Sequence, residues 1–188
     1  MPVCLLVKHA MPKVAPGVAA CEWRLSEEGR RACLPLSRRL ADFQPGVVVT
    51  STEPKSVETG SLVAANLEIS CESAEDLHEH RRQTVGYLSK EGFSTGIQDL
   101  FARPDQLVFG EETASLALRR FTASVQGVVA RFPGESVVIV SHGTVISLLI
   151  SELTDQEAYP VWSSLGLPSI VVLSSPVLDF IETISHIE

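Results

Sequence analysis

Three short apolar runs, separated by segments with helical periodicity, restrict this chain to a layered fold of strands and helices. The runs cover residues 3–7, 47–51 and 136–141, and each has the length and aliphatic content of a buried strand. Strands that alternate with helices along a chain usually form a largely parallel sheet with the helices packed on it. The pattern therefore predicts an α/β fold.

The remaining elements follow from caps, turns and periodicity. The predicted helices are residues 25–40 with Ser26 as N-cap, residues 54–66, a helix that begins with Glu111 and Glu112, and residues 143–153. The further predicted strands are residues 68–71, and 168–175 with 177–187 as a hairpin around Pro176. Residues 73–110 are polar and irregular, with short helical pieces, and no linker is evident, so residues 1–188 are expected to form a single domain.

Composition excludes several classes of function. The chain has 188 residues, 45% of them hydrophobic, and a net charge of −8, which argues against binding to nucleic acid or to an anionic membrane surface. No apolar run is long enough to span a bilayer, and the N-terminus does not resemble a secretory signal. The four cysteines are scattered, as expected for reduced thiols, so a cytoplasmic protein is predicted, while the oligomeric state stays open.

Polar residues follow the three predicted strands at the points where the strands end. These segments are Lys8–His9, Ser51–Lys55 and His142–Gly143. Ligands bind at the carboxyl ends of strands in open α/β sheets, and the start of a helix favours an anion. Two histidines and two lysines there would form a cationic pocket, in which a neutral imidazole can attack phosphorus. A carboxylic acid for the leaving group could be Glu79 or Asp76.

Five segments, in order along the chain, resemble the motifs of the histidine phosphatase superfamily, which includes the phosphoglycerate mutases. They are Lys8–Ala10, residues 25–32 (LSEEGRRA), residues 51–60 (STEPKSVETG), Leu77–Glu79 and Ser141–Gly143. The resemblance implies a phosphoglycerate mutase-like fold, a three-layer α/β/α sandwich with a mostly parallel central sheet. It also implies a cofactor-independent phosphomonoester hydrolase that acts on a small phosphorylated substrate through a phosphohistidine.

The resemblance assigns a role to each matching position. His9, Glu79 and His142 would be catalytic, with His9 as nucleophile and Glu79 as proton donor. The phosphate-binding residues would be Lys8, Lys55, His142 and Gly143, and no metal or other cofactor is implied.

Three positions depart from the family motifs. Lys8 and Lys55 stand where the family has arginines, and Ala10 stands where it has glycine. Lysine keeps the positive charge but lacks the planar fork that holds two phosphate oxygens at once. The chain also lacks room for the insertions of mutases, which favours hydrolysis.

Two alternatives stay open. The first is a phosphate-binding module of the same fold with weakened catalysis, because the arginines are missing. The second is a metal-dependent hydrolase, in which His78 and His80 join His9 and His142 as ligands. Trp23 and Trp162 are expected in the core or in a pocket wall.

Overall fold

The computed structural model describes residues 1–187 and contains one six-stranded sheet with helices on both faces. The strands are β1 (Val3–Lys8), β2 (Pro45–Thr50), β3 (Ser70–Ser73), β4 (Ser136–Ser141), β5 (Ser169–Ser174) and β6 (Phe180–Ile184). The helices are α1 (Glu27–Ala41), α2 (Pro54–Leu67), α3 (Lys90–Ala102), α4 (Ala114–Arg131), α5 (Gly143–Thr154) and α6 (Ala158–Ser164), and Ala20–Glu22 form a 3₁₀ turn.

The strand order is β3-β2-β4-β1-β5-β6. The pairs β3–β2, β2–β4 and β4–β1 are parallel, whereas β5 is antiparallel to both β1 and β6. The sheet is therefore mostly parallel, as predicted, with the hairpin β5–β6 added at one edge.

Alternating side chains of the central strands pack against two different helical layers. Leu5 and Val7 of β1 belong to the same core cluster as Leu36 of α1 and Val63 of α2. Leu6 faces the opposite side, in the cluster formed with helices α3 to α6. This alternation is the period of a strand, and it produces the three-layer sandwich that the sequence predicts.

Several predicted boundaries are wrong for local reasons. The helix predicted from Glu111 and Glu112 begins only at Ala114, because Thr113 is its N-cap and accepts a hydrogen bond from the N–H of Leu116 at 3.2 Å. The strand predicted at 68–71 lies at 70–73, because Glu68 adopts a left-handed conformation (φ 57°) that ends α2. The C-terminal hairpin is shorter than predicted, and α6 was not predicted.

The parallel arrangement sets the position of the candidate site. Because β1, β2 and β4 are parallel neighbours, their carboxyl ends meet at one edge of the sheet. The segments that follow them therefore lie side by side, and the N–H of His9 donates to the carbonyl of Ser141 at 3.0 Å. Within residues 1–187, no helix combines the length and the apolar character needed to cross a membrane.

Candidate active site

His9 lies directly after β1, with 7% of its surface exposed. Its Nδ1 is 2.8 Å from the carbonyl oxygen of Ala10. A carbonyl oxygen only accepts hydrogen bonds, so Nδ1 carries the proton and Nε2 keeps a free lone pair. Burial and the charge of Lys55 lower the pKa of His9 to about 3, although the bond to Ala10 opposes this shift. The imidazole is therefore neutral at neutral pH.

His142 is the residue before α5 and lies next to His9, with 5.2 Å between the ring centroids. It has no exposed surface, and its Nε2 is 2.7 Å from the hydroxyl oxygen of Ser51. Burial, with the charge of Lys55, holds the pKa of His142 well below its usual range. Its Nδ1 is buried and has no hydrogen-bond partner among the described residues. The ring nitrogen that does not contact Ser51 is therefore available to a hydrogen-bond partner.

Lys8 and Gly143 are in close contact where β1 and α5 meet. The Lys8 ammonium donates to the carbonyl of Leu165 at 2.8 Å. A Cβ atom on Gly143 would lie 3.1 Å from Cε and 3.4 Å from Nζ of Lys8, so glycine leaves room for this side chain. Burial lowers the pKa of Lys8 to about 8, with Glu79 opposing the shift. The ammonium therefore still carries its charge in most molecules at neutral pH.

Lys55, in the first turn of α2, forms an ion pair with Glu53, and both side chains are buried. The same ammonium donates to the carbonyl of Ala20 at 2.8 Å. The second carboxylate oxygen of Glu53 accepts from the N–H of Glu79 at 2.9 Å and lies 3.7 Å from Nε2 of His142. One carboxylate thus contacts three of the predicted site residues and compensates the charge of one of them.

Glu79 places its carboxylate at the N-terminus of α5. It accepts from the N–H of Thr144 at 3.1 Å and of Val145 at 3.3 Å, and Arg82 lies 3.5 Å away. Burial alone would raise the pKa of Glu79, but Arg82, His142 and the backbone N–H groups hold it well below its usual range. The carboxylate is therefore ionised in the free protein.

Asp76, the alternative acid, lies elsewhere. Its side chain is 57% exposed, and its nearest imidazole is that of His78, at 3.9 Å. It is absent from the lining of the cavity that contains His9 and Glu79. The geometry therefore favours Glu79 over Asp76 as the carboxyl group of the site.

The histidines around Glu79 do not form a metal site. Nε2 of His80 donates to the carbonyl oxygen of Glu112 at 2.5 Å, and the His80 ring stacks on that of Phe109. Nδ1 of His78 donates to the carbonyl oxygen of Glu79 at 2.8 Å. Among residues 1–187, no group of three or more His, Cys, Asp or Glu side chains is arranged to hold a metal ion. The histidine arrangement of the metal-dependent alternative is not present.

A cavity of about 1000 Å³ opens onto these residues. Its polar lining includes Lys8, His9, Glu53, Lys55 and Glu79 beside Gly143, and its apolar lining includes Val14, Val18, Trp23, Phe93, Trp162 and Leu167. Trp23 and Trp162 thus lie in the pocket wall, as the sequence suggested. The volume exceeds what a phosphoryl group needs and leaves space for a leaving group.

Two charged residues of the site were not predicted from the sequence. Glu53 lies inside the segment 51–60, and an acid two residues from a pocket lysine was the available signal. Arg82 follows Glu79 by three residues, in a segment without periodicity. No local pattern places its guanidinium at α5, because that contact is formed only in the folded chain.

A family model matches most of the chain. The family model described as "Histidine phosphatase superfamily (branch 1)" matches residues 10–175. No curated protein matches the chain.

Solved structures with the same fold cover almost the whole chain. Bacillus stearothermophilus YhfR is 22% identical with a TM-score of 0.75, covering 100% of this chain and 96% of its own. A mycobacterial glucosyl-3-phosphoglycerate phosphatase is 18% identical with a TM-score of 0.73, covering 99% and 97%. A mutant phosphoserine phosphatase from Entamoeba histolytica, in complex with phosphoserine, is 13% identical with a TM-score of 0.78, covering 98% of each chain.

Proposed function

Because the chain belongs to the histidine phosphatase superfamily, we propose that it is a phosphomonoester hydrolase acting through a phosphohistidine intermediate on a small phosphorylated metabolite. Two of the similar structures are phosphatases of such compounds, a glucosyl phosphoglycerate and phosphoserine. The geometry of His9 carries the proposal, since a neutral imidazole with a free Nε2 faces a cavity that Lys8 and Lys55 also line.

The first step is an in-line attack by Nε2 of His9 on phosphorus. A bond forms between Nε2 and phosphorus while the bond from phosphorus to the leaving oxygen breaks. The contact between Nδ1–H and Ala10 fixes the ring and disperses the positive charge that develops on it. The low pKa of His9 ensures that the nucleophile is not blocked by a proton.

Lys8, Lys55, His142 and Gly143 are the proposed phosphate ligands. The ammonium of Lys8 lies against Gly143 at the start of α5, where the positive end of the helix dipole favours an anion. The unpartnered Nδ1 of His142 needs a hydrogen-bond partner, and a phosphoryl oxygen satisfies it once the ring turns toward the cavity. Cations around the three equatorial oxygens stabilise the charge of the transition state.

Glu79 is the proposed acid and base. It is ionised in the free protein, so it must gain a proton when substrate binds, and the charge of the phosphate dianion raises the pKa of the neighbouring carboxyl. The acid protonates the leaving oxygen. The resulting carboxylate then takes a proton from the water that attacks the phosphohistidine, and inorganic phosphate leaves.

The test is hydrolysis of a panel of phosphomonoesters by the wild-type chain and by His9→Ala, with and without a chelator. We expect turnover that is insensitive to the chelator and is lost in His9→Ala, with the melting temperature unchanged within a few degrees. Wild-type turnover in His9→Ala would contradict the mechanism. If the wild-type chain loses turnover when the chelator is added, the metal-dependent alternative is favoured.

One observation favours the second candidate, a phosphate-binding module with weakened catalysis. Lys55 is already paired with Glu53, so one of the two lysines is not free to bind phosphate in the unliganded protein. Under this alternative, calorimetry detects inorganic phosphate binding to the wild-type chain while the whole substrate panel remains unhydrolysed. Binding and hydrolysis measured on the same preparation therefore separate the two candidates.

A further inference from the structure

The two pocket lysines leave the site short of directed hydrogen-bond donors. The ammonium of Lys55 is occupied by Glu53 and by the carbonyl of Ala20. The ammonium of Lys8 donates to the carbonyl of Leu165. Neither side chain can offer two parallel N–H groups to one anion, which only a guanidinium does. A phosphoryl group in this cavity therefore needs a donor from another part of the chain.

Arg82 lies on a loop that is fixed to the segment before α4. The carboxylate of Glu111 accepts from the N–H groups of Gln83 at 2.8 Å and Thr84 at 2.6 Å. A Cβ atom on Gly110 would lie 2.8 Å from the Cα of Arg82, so glycine permits this close backbone contact. The loop is thereby held by hydrogen bonds and packing, and it directs Arg82 into the cavity.

The guanidinium of Arg82 lies at the start of α5 and has donors to spare. One terminal nitrogen is 3.5 Å from a carboxylate oxygen of Glu79, and the other is 3.5 Å from the hydroxyl oxygen of Thr144. Both contacts are at the long limit of hydrogen bonding, so they leave most of the N–H groups weakly satisfied. The ring of Phe93 lies 5.0 Å from the guanidinium carbon and supports its face.

We propose that Arg82 binds the transferred phosphoryl group and supplies the two-donor contact that lysines at positions 8 and 55 cannot. This inference rests on the proposed function of the same cavity. Arg82 approaches the N-terminus of α5 at Thr144, one residue from Gly143, where Lys8 reaches the same helix start. The anion would therefore be held between the guanidinium of Arg82, the ammonium of Lys8 and the N-terminus of α5 at Gly143.

This arrangement also links phosphate binding to the protonation of Glu79. In the free protein the charge of Arg82 helps to keep the carboxyl ionised. A phosphoryl dianion that takes the donors of Arg82 compensates this charge and adds its own repulsion, and both effects raise the pKa of Glu79. The Glu79 carboxyl is therefore protonated only when substrate is bound.

The test compares Arg82→Gln, Arg82→Lys and the wild-type chain. Arg103→Gln is the control, because Arg103 pairs with Asp99 on the surface of α3, with 45% of its side chain exposed. Each protein is assayed for hydrolysis of an aryl phosphate, for inorganic phosphate binding by calorimetry, and for melting temperature.

We expect Arg82→Gln to reduce both kcat/KM and phosphate affinity by about 10- to 100-fold, the range of one charge-assisted contact. Arg82→Lys should keep the charge and still lose about tenfold, and Arg103→Gln should match the wild type. If Arg82→Gln does not fold, Arg82→Lys decides the question by the same two measurements.

Phosphate affinity and kcat/KM of Arg82→Gln within threefold of wild type would overturn the inference. Equal values for Arg82→Lys and wild type would overturn the two-donor contact. If the wild-type chain binds phosphate without hydrolysing any ester, the proposed function fails, but weaker phosphate binding by Arg82→Gln would still support the inference.

Discussion

Glu53→Gln should lower the stability of the protein but raise its affinity for inorganic phosphate. The Glu53 and Lys55 side chains form a buried pair, with 9% and 7% of their surfaces exposed. Glutamine keeps an oxygen that accepts from the N–H of Glu79, so the backbone contact at 2.9 Å survives. The substitution therefore removes the negative charge and leaves the local geometry largely intact.

Two effects of opposite sign follow from the released ammonium. Removing one partner of a buried ion pair typically costs about 3–5 kcal/mol, and we expect the lower end because Lys55 lines the cavity and regains water. A charge-assisted hydrogen bond to phosphate is worth about 1.5–3 kcal/mol. The Kd for inorganic phosphate should therefore fall by about 10- to 150-fold relative to wild type.

Calorimetric titration with inorganic phosphate at pH 7, together with urea unfolding, measures both effects. Glu58→Gln is the matched control, since Glu58 pairs with Arg24 and Arg30 nearer the surface of the same helix. It should leave the phosphate affinity unchanged and cost about 1 kcal/mol or less. An affinity of Glu53→Gln equal to or below that of the wild type would refute the view that Glu53 competes with phosphate for Lys55.

Three further results are expected from the same geometry. Glu79→Gln should slow hydrolysis of alkyl phosphates by about 10²–10⁴-fold but that of aryl phosphates far less, because only poor leaving groups need a proton; equal slowing of both in a leaving-group series would make Glu79 structural. The pKa of His9 is about 3 in the folded chain and near 6.5 in the unfolded chain, so the unfolded state binds more protons on acidification and the wild type loses stability. Urea titrations should show that His9→Asn loses about 2 kcal/mol less stability than wild type between pH 7 and pH 5. Equal losses in the two proteins would contradict the lowered pKa of His9. Gly143→Ala, whose Cβ would lie 3.1 Å from Cε of Lys8, should shift the ammonium and raise KM by up to about tenfold, whereas an unchanged KM would contradict the view that the contact with Gly143 positions Lys8 for substrate.

The features of the fold and the site that could be predicted from sequence depend on regular periodicity. The strands β1, β2 and β4 are short apolar runs, and parallel strands bring their carboxyl ends to one edge. The positions of His9 and His142 next to each other follow from that rule. The predicted N-cap of α1 is also present, since the hydroxyl of Ser26 accepts from the N–H of Gly29 at 3.0 Å.

The parts that could not be predicted depend on contacts between segments distant in the chain. Glu111 and Glu112 have the composition of a first helical turn, yet their side chains bind backbone N–H groups of the loop 81–84. The pairing of Glu53 with Lys55 and the approach of Arg82 to α5 likewise depend on tertiary packing. The motifs therefore predicted which residues lie close together at the sheet edge, whereas the charge balance around these residues required the folded structure.

The central claim is that the reaction passes through a covalent phosphoryl group on Nε2 of His9. Its most direct test is rapid quenching of the wild-type chain during turnover of an aryl phosphate, followed by mass spectrometry of the peptide that contains His9. We expect a phosphoryl group on His9 that is stable in alkali, labile in acid and absent from His9→Asn. Turnover without a phosphorylated His9 at any quench time would contradict it.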